Sequence, residues 1–412
     1  MTLPASESRR LLVRDLEQLA TPAAGDGPCR GDRRGAVDVL ERAYLLCEGS
    51  RIAAIGRMSE LRPLAGDVEE LDGSGRSAIP GLVDCHTHAC FAGDRVEEFA
   101  LRAAGASYEE LHAAGGGILS SVRATRTAGE DELVRAVARH RDTMRRHGTT
   151  TFEAKSGYGL DHDVELASLR AIRAAGGVPT WLGAHAVPPE FGDADAYLDF
   201  ALAEVLPEAA ELAEAGDVFL ERNAFDAEQA RRHLSACRDA GLALRLHGDQ
   251  FTESGAVPLA IELAARSVDH LEATPDEGIR ALAASDVTAV LLPASALFLG
   301  RPMPRARDLL DRGAIVALAT DFNPGSAYCE SLLLVASLAA TQLRMSLEET
   351  LCALTANAAH VLGRGDRKGR LAPGYDADVV LLGAPDWRHI AYHLAGDVVE
   401  TVLVGGKPVA LG

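Results

Sequence analysis

The middle of the chain repeats one pattern eight times: a short apolar run, then a longer segment with helical periodicity. Alternation of this kind is typical of βα units and a parallel sheet. Eight units predict a TIM-type (β/α)8 barrel, an α/β fold. A doubly wound sheet is the alternative, but it usually has fewer strands and a glycine-rich phosphate turn, and no GxGxxG follows these runs. The runs are AIPGLVDCH, TTTFEAK, VPTWLGAH, DVFLE, LALRLH, RSVDH, VTAVLLP and AIVALATD.

The two ends of the chain carry β-strand patterns without intervening helices. The segment AYLLCEGSRIAAIG (43–56) predicts a hairpin that turns at residues 48–50, and ETVLVGGKPVA predicts one that turns at Gly405 and Gly406. We expect these ends to form one small β-sandwich-like domain from residues 1–78 plus 371–412. The barrel would then comprise residues 79–370.

Charge and cysteine content narrow the class of partner. The chain has 41 basic and 60 acidic residues and a formal net charge of −19, which argues against nucleic acid or an anionic membrane as its partner. Its seven cysteines form no CxxC pair, which favours a reducing compartment over a disulfide framework. We find no signal-peptide pattern and no apolar run of membrane-spanning length. We therefore expect a cytoplasmic protein that acts on a small molecule.

Seven of the eight predicted strands end in an ionisable side chain. Barrels of this type build their sites at the carboxyl ends of the strands, so these side chains would meet at one mouth. One such histidine alone is more often a satisfied core or surface group, but five at four strand ends predict a metal site. The residues are His86, His88, Lys155, His185, Glu221, His247, His270 and Asp321, while the seventh strand ends in Pro293.

The first strand contributes two histidines in PGLVDCHTH. Side chains two apart in a strand point to the same face, so His86 and His88 should converge. With His247 and Asp321 they supply three nitrogens and one oxygen, and such donors suit zinc, iron, copper or nickel. A catalytic metal of this kind lowers the pKa of a water toward about 7.

The loops after the strands carry candidate substrate contacts. Arg95 in FAGDRVEEF offers a fork that suits a carboxylate, although a plain surface arginine is the alternative. Tyr158 lies in the glycine-rich KSGYGL, and Gln250 follows His247 by three residues. TDFNPGS could be an ordinary Asn-Pro turn or could offer an amide and backbone donors. Its candidates are Asn323, Gly325 and Ser326.

These motifs together resemble the amidohydrolase superfamily. PGLVDCHTH, a late strand that ends in Asp and β-rich termini around a barrel carry the resemblance. Longer segments between Pro80 and Ser326 are similar to one branch, whose members open an imidazolone ring with water. The segments are GDRVEEFALRAAGASYEELHAAGGGILSSVRATR, GTTTFEAKSGYGL, GAHAVPPEF, VDHLEATPDEGI and LATDFNPGS.

The resemblance implies a cytoplasmic homodimer with one zinc or iron ion per chain. It implies hydrolysis of 4-imidazolone-5-propanoate to N-formimidoyl-L-glutamate in histidine breakdown. The implied metal ligands are His86, His88, His247 and Asp321. The implied substrate contacts are Arg95, Tyr158, His185, Gln250, Asn323, Gly325 and Ser326.

Two departures from the branch bear on the catalytic roles. Some of its members carry Glu where this chain has Gln250, and a neutral amide cannot act as a general base. The base role therefore falls to Asp321 or His270, and stabilisation of the oxyanion falls to His270 or His185. The segment FLERNAF also departs from the branch, which leaves the role of Glu221 open.

Three other interpretations remain at this stage. The chain could be another cyclic amidase or a nucleobase deaminase of the same superfamily. A carbamylated Lys155 could bridge two metal ions, as in binuclear relatives. A non-catalytic metal-binding or ligand-binding barrel is disfavoured, because none of the four implied ligands is lost.

Overall fold

A computed structural model of the chain describes residues 9–25, 27–105, 116–222 and 224–411. The strands are β1 Arg10–Pro22, β2 Val37–Glu48, β3 Arg51–Arg57, β4 Glu69–Asp72, β5 Ser77–Pro80, β6 Leu82–Asp84, β7 Thr149–Lys155, β8 Val178–Ala184, β9 Ala215–Leu220, β10 Ala243–Gly248, β11 Ser267–His270, β12 Thr288–Leu291, β13 Ile315–Leu318, β14 Val379–Leu382, β15 Val399–Val404 and β16 Lys407–Pro408.

The helices lie mainly between the strands of the middle region. They are α1 Val96–Ala103, α2 Ile118–Thr127, α3 Glu130–Arg146, α4 His162–Ala174, α5 Ala194–Phe200, α6 Leu206–Leu212, α7 Ala227–Asp239, α8 Ala256–Glu262, α9 Asp276–Ala283, α10 Pro293–Phe298, α11 Ala306–Asp311, α12 Leu332–Thr341, α13 Leu347–Cys352, α14 Ala358–Val361 and α15 His389–Tyr392. Short 3-10 turns span Gly31–Arg33 and Met58–Glu60, and π-helical turns span Ala201–Val205 and Ala353–Asn357. Within the described ranges, no helix combines the length and the apolar character needed to cross a membrane.

Strands β6 to β13 form one parallel sheet in which every strand pairs with its neighbour in sequence. The sheet closes just beyond the ends of β6 and β13, where Thr87 bridges Phe322. Two backbone hydrogen bonds support this closure: His88 N donates to Phe322 O over 2.8 Å, and Asp321 N donates to His86 O over 3.1 Å. The predicted eight-stranded barrel is confirmed, and segments with candidate ligands close it.

The helix α4 illustrates why the segments between strands fold as predicted. Asp161 caps it, accepting a hydrogen bond from Val164 N over 2.8 Å. Leu166, Leu169 and Ile172 recur at helical spacing and are buried against the barrel. Each such aliphatic side chain contributes about 1.5–3 kcal/mol on full burial.

The remaining strands form a second eight-stranded sheet, in the order β16-β15-β14-β5-β1-β2-β3, with β4 paired to β1. The two chain ends meet at β5, which pairs in parallel with β1 and antiparallel with β14 through Ile79 and Val380. The long β1 has a bulge between Val13 and Leu16, and β4 and β5 pair with its two different halves. The predicted small β domain from both termini is confirmed. The division into 1–78 plus 371–412 and 79–370 stays a prediction.

The first predicted barrel strand is wrong in its extent, while both predicted hairpins are confirmed as β2–β3 and β15–β16. AIPGLVDCH contains two strands: β5 belongs to the small sheet and β6 to the barrel. Gly81 separates them, and a Cβ built there would lie 2.2 Å from Thr150 Oγ1. The backbone therefore passes against β7 where only glycine fits. The sequence pattern hid this break because both sides of Gly81 are apolar and buried.

Candidate active site

The structure brings five of the candidate strand-end residues together at the carboxyl end of the barrel. Ligand atoms of His86, His247 and His270 lie within 4.8 Å of one another, and so do those of His86, His88 and Asp321. The two groups share His86 and all five residues are buried. The convergence of His86 and His88 follows from their spacing, and their ring centroids lie 5.4 Å apart.

Buried carboxylates determine which nitrogen of two histidines is free. His86 Nδ1 lies 2.5 Å from Asp269 Oδ2, and His247 Nδ1 lies 3.1 Å from Asp217 Oδ1. A carboxylate can only accept, so each Nδ1 carries the proton and each Nε2 keeps a lone pair. Among the described residues, His86 Nε2 has no hydrogen-bond partner although it is buried. Both Nε2 atoms are thus prepared to bind a cation.

The free donor atoms have the spacing of a metal centre. His88 Nε2 lies 3.2 Å from His247 Nε2, and Asp321 Oδ1 lies 3.5 Å from both His86 Nε2 and His88 Nε2. Ligands at about 2.0–2.1 Å around a tetrahedral zinc are about 3.3 Å apart. Burial and then neighbouring positive charge hold the pKa values of His86 and His88 well below the usual range, which keeps both rings neutral. These residues therefore fit a transition-metal ion.

Lys155, whose role the sequence left open, lies beneath this centre. Its Nζ is 2.8 Å from Glu153 Oε1 and 2.8 Å from Asp217 Oδ2, and Arg245 Nη1 is 3.2 Å from Glu153 Oε1. Burial lowers the pKa of Lys155, but Asp217 and Glu153 outweigh burial and raise it. An ammonium held between two carboxylates balances their buried charge.

Sequence reasoning missed the acids of this layer: Glu153, Asp217 and Asp269. One signal was available, since Glu153 and Lys155 are two apart in TTTFEAK and so share a face of β7. Asp269 directly precedes His270, and both contact the His86 ring, whose centroid lies 5.8 Å from that of His270. Strand alternation predicts opposite faces for such neighbours, so it gave no signal for Asp269. Asp217 lies 30 residues before His247, and no local pattern joins the two.

The mouth of the barrel also holds backbone in unusual conformations. His270 and Leu271 have φ of +84° and +72°, and Asp249 and Asp321 both have φ of +54°. Left-handed backbone at a residue other than glycine costs about 1–3 kcal/mol and persists only where the surrounding structure enforces it. All four residues end a barrel strand, directly follow one or carry a candidate ligand. The strain thus accompanies the geometry of the site.

His185 and Tyr158 form one wall of the site. The His185 ring lies over His88, with centroids 5.2 Å apart, and its Nδ1 is 2.9 Å from Gly157 O. A carbonyl only accepts, so Nδ1 donates and Nε2 is left as an acceptor. Burial, followed by the charge of His247, lowers the pKa of His185 to about 3, so the ring is neutral.

A buried carboxylate holds the loop that carries Tyr158. Glu165 accepts hydrogen bonds from Gly157 N at 2.9 Å, Gly159 N at 2.9 Å and Leu160 N at 3.0 Å. These three backbone groups all belong to KSGYGL, so one side chain shapes the turn. The glycines are needed there, since a Cβ on Gly157 would lie 2.8 Å from Leu182 O.

Glu221 holds the loop next to Gln250, as Glu165 holds the loop of Tyr158. Its Oε2 accepts hydrogen bonds from Phe251 N over 2.8 Å and Thr252 N over 3.1 Å, and its Oε1 also bonds Thr252 Oγ1. The carboxylate at the end of β9 therefore fastens the loop after β10, which carries the buried Gln250. This contact accounts for Glu221 without a direct part in chemistry.

The loop after β13 is bonded internally. Asn323 Oδ1 accepts from Gly325 N over 2.8 Å and Ser326 N over 2.7 Å, and Asn323 Nδ2 donates to Asp321 O over 2.6 Å. A Cβ built on Gly325 would lie 2.1 Å from Arg95 Nη1, so the guanidinium lies against this loop. Direct substrate contacts of this loop stay a prediction. The motif GASYEELHAAGGGI falls largely on residues 106–115, outside the described ranges.

The fold and the metal-binding geometry define a class of protein, and comparison agrees. The chain matches the amidohydrolase family over residues 77–409. It belongs to that family.

Curated relatives define the branch more narrowly. An imidazolonepropionase of Rubrobacter xylanophilus is 59% identical over 405 residues, which cover 96% of this chain and 97% of the relative. An imidazolonepropionase of Solibacter usitatus is 46% identical over 403 residues, which cover 95% and 96%.

Solved structures share the fold at low sequence identity. A triazine hydrolase variant superposes with a TM-score of 0.71 at 20% identity and covers 97% of this chain and 94% of that one. An adenosine deaminase of Xanthomonas campestris with bound zinc gives a TM-score of 0.70 at 18% identity and covers 98% and 93%. At this identity, the likeness extends to the fold alone.

Proposed function

We propose that this chain is an imidazolonepropionase, which opens the ring of 4-imidazolone-5-propanoate with water to give N-formimidoyl-L-glutamate in histidine catabolism. The observation that carries this conclusion is 59% identity to a curated imidazolonepropionase over 96% of the chain. The geometry supports hydrolysis independently, because three histidines and one aspartate converge at the mouth of a barrel.

The ligands would be His86 Nε2, His88 Nε2, His247 Nε2 and Asp321 Oδ1. Zinc and iron both accept this donor set, and the ion would supply Lewis-acid activation of water and of the ring carbonyl. We propose one ion per chain. The ion pairs of Lys155 Nζ with Glu153 and Asp217 support this, because an ammonium engaged in this way is unsuited to carbamylation and to bridging a second ion.

Three residues around this centre are our candidates for the separate steps of proton transfer and hydrogen bonding. Asp321 is our candidate base, which takes a proton from the attacking water and delivers it to the ring nitrogen that leaves. His270 is our candidate donor to the oxyanion. Burial lowers the pKa of His270, but the Glu272 carboxylate, 3.7 Å from Nδ1, outweighs burial and raises it. His185 Nε2, as an acceptor, would bind an N–H of the substrate ring.

The substrate would lie with its carboxylate away from the metal. Arg95 is our candidate anchor for the propanoate, through charge-assisted hydrogen bonds. Tyr158 and Gln250 would contact the ring, and the loop of Asn323, Gly325 and Ser326 would close the remaining side. An anionic substrate is compatible with a chain of net charge −19 because a local guanidinium governs the field at short range.

Metal analysis coupled to an imidazolone assay tests this function. We expect about one zinc or iron per chain, loss of ring opening on chelation and its return when the ion is restored. Asp321→Ala should abolish activity, whereas Asp239→Ala, at the exposed end of α7, should not. Full activity in the chelated enzyme would refute the proposal. Turnover of cytosine, guanine or hydantoin instead of the imidazolone would favour a deaminase or another cyclic amidase.

We further propose that the protein is a cytoplasmic homodimer. The resemblance supports this, and the seven cysteines are all free in the structure, which suits a reducing compartment. Light scattering of the eluting enzyme gives the mass of the assembly. A monomer at micromolar concentration would contradict the dimer.

A further inference from the structure

Glu98, on α1, joins four groups around the mouth of the barrel. Its carboxylate accepts hydrogen bonds from Arg95 Nε at 2.9 Å, Arg95 Nη2 at 2.5 Å and Arg102 Nη2 at 2.9 Å. It also accepts one from Gly117 N at 2.7 Å, next to the start of α2. The side chain is only 10% exposed. Bonds to a charged, largely buried acceptor are shorter and stronger than neutral ones.

These bonds orient both arginines toward one residue. Glu98 binds Arg95 through its Nε and Nη2, which directs the remaining Nη1 to Gly325. Arg102 Nη2 also donates to Gly325 O over 3.1 Å. The face of Arg102 is covered by Phe298, whose ring centroid lies 5.4 Å from Cζ. Two guanidiniums are thus held next to Gly325, in the loop that follows Asp321.

The cluster of Glu98, Arg95 and Arg102 carries a net positive charge. Two guanidiniums against one carboxylate leave one net positive charge. Within the described part of the chain, Arg102 Nη1 is buried and has no hydrogen-bond partner. An unpaired buried donor is costly, and a carboxylate of a ligand would both accept from it and neutralise the surplus charge.

We propose that Glu98 positions Arg95 and Arg102 as a pair that binds the carboxylate of the substrate, so that selectivity for an anionic side arm depends on Glu98. This rests on the proposed function for the identity of the substrate, but the arginine pair can be tested separately. Glu98 is a positioning residue, because it acts through the two arginines rather than on the reacting atoms. Arg102 is added to Arg95 as a carboxylate ligand.

The alternative is that Glu98 only ties α1 to the start of α2. In that case its loss would weaken binding of charged and neutral ligands alike. Positioning of the arginines predicts a selective loss instead, confined to ligands with a carboxylate. The two possibilities are therefore separated by a comparison of two ligands that differ only in that group.

The experiment measures binding of imidazole-4-propanoate and imidazole-4-propanamide to the metal-loaded enzyme by calorimetry. We expect the wild type to prefer the propanoate by about tenfold or more, the size of one charge-assisted hydrogen bond. Glu98→Gln keeps the shape and removes the charge, and should erase most of this preference. Arg102→Gln should also reduce the preference, and it provides a second test if Glu98→Gln does not fold. Glu97→Gln, on the neighbouring exposed position of α1, should keep it.

Each outcome decides one question. Glu98→Gln should raise KM for the imidazolone substrate about tenfold and change kcat much less. An unchanged preference in Glu98→Gln, an equal loss for both ligands or no preference in the wild type would each overturn the arginine pair. If the wild type fails to open the imidazolone but prefers the propanoate, and Glu98→Gln loses that preference, the proposed reaction is wrong and the arginine pair stands. If the wild type opens the imidazolone but Glu98→Gln keeps the preference for the propanoate, the proposed reaction stands and the arginine pair is wrong.

Discussion

At the residue scale, buried acids fix the Nδ1 proton of two of the three proposed histidine ligands, His86 and His247. Asp269 and Asp217 accept hydrogen bonds from the Nδ1–H groups of His86 and His247, and this leaves both Nε2 atoms available. Such acids also raise the basicity of the ligand and lock its ring. These four residues therefore act as two pairs, each of which contains one proposed ligand and one acid that orients it.

Replacement of one of these acids should weaken metal binding without unfolding the barrel. We expect Asp269→Asn to lower the metal affinity about 10–100-fold, because the neutral amide no longer supports the His86 ligand. Competition with a calibrated chelator measures this. Asp239→Asn, at an exposed position, is the matched control. An unaltered affinity in Asp269→Asn would show that this pair is not needed to prepare His86.

At the scale of elements, the loops at the mouth are fastened by acids that lie outside the loops themselves. Glu165 on α4 holds the loop after β7, and Glu221 after β9 holds the loop after β10. In the same way, Asp84 at the end of β6 accepts from Thr320 Oγ1 over 2.6 Å, beside Asp321. Loops need such side chains because their backbone donors have no partner strand.

The loop of Tyr158 gives the sharpest test of this arrangement. Glu165→Gln places an amide NH2 against backbone N–H groups that now meet a carboxylate, so at least one bond is lost. We expect the free energy of unfolding to fall by about 1–3 kcal/mol. We also expect a lower kcat, because His185 and Tyr158 are placed by this loop. Urea denaturation and steady-state kinetics measure the two effects.

A neighbouring acid on the same helix is the control for that variant. Asp163→Asn should change neither quantity, since its side chain is 96% exposed. If Glu165→Gln keeps full activity and stability, the loop does not depend on this carboxylate.

At the scale of the whole molecule, the side-chain amide of Asn357 is one of the groups that link the N-terminal segment to the barrel. Asn357 Oδ1 accepts from Cys29 N over 2.7 Å, and Nδ2 donates to Cys29 O over 3.0 Å and Val316 O over 2.8 Å. Val316 belongs to β13, the strand that leads to Asp321. Asn357 therefore joins the N-terminal segment to the barrel strand that precedes Asp321.

Loss of this amide should destabilise the fold as a whole. Asn357→Leu leaves buried backbone groups of Cys29 and Val316 without partners, and we expect the free energy of unfolding to fall by about 3 kcal/mol. Denaturation with urea at constant metal concentration measures it. Gln342→Leu, at an exposed position, is the control. A loss below about 1 kcal/mol would mean that water or another group satisfies these atoms.

Sequence patterns anticipated the architecture well because the patterns are local. The period of the apolar residues distinguishes strands from helices, and eight repeats fix the number of βα units. The same local logic placed His86, His88, His247, His270 and Asp321 at the mouth. It failed at Gly81, because two consecutive buried strands of different sheets look like one apolar run.

Fold class, the number of strands and the residues at the mouth of the barrel were thus determined by the sequence itself. The partners of those residues were decided by the tertiary structure alone. His86 and Asp269 are 183 residues apart, and Cys29 and Asn357 are 328 apart. The physical reason is range: side-chain alternation acts over a few residues, whereas a hydrogen bond between buried groups forms only when folding has brought distant segments together. For the same reason, only the contacts in the folded chain show that Lys155 balances the charges of Glu153 and Asp217. Only such contacts show that Glu98 links Arg95 and Arg102.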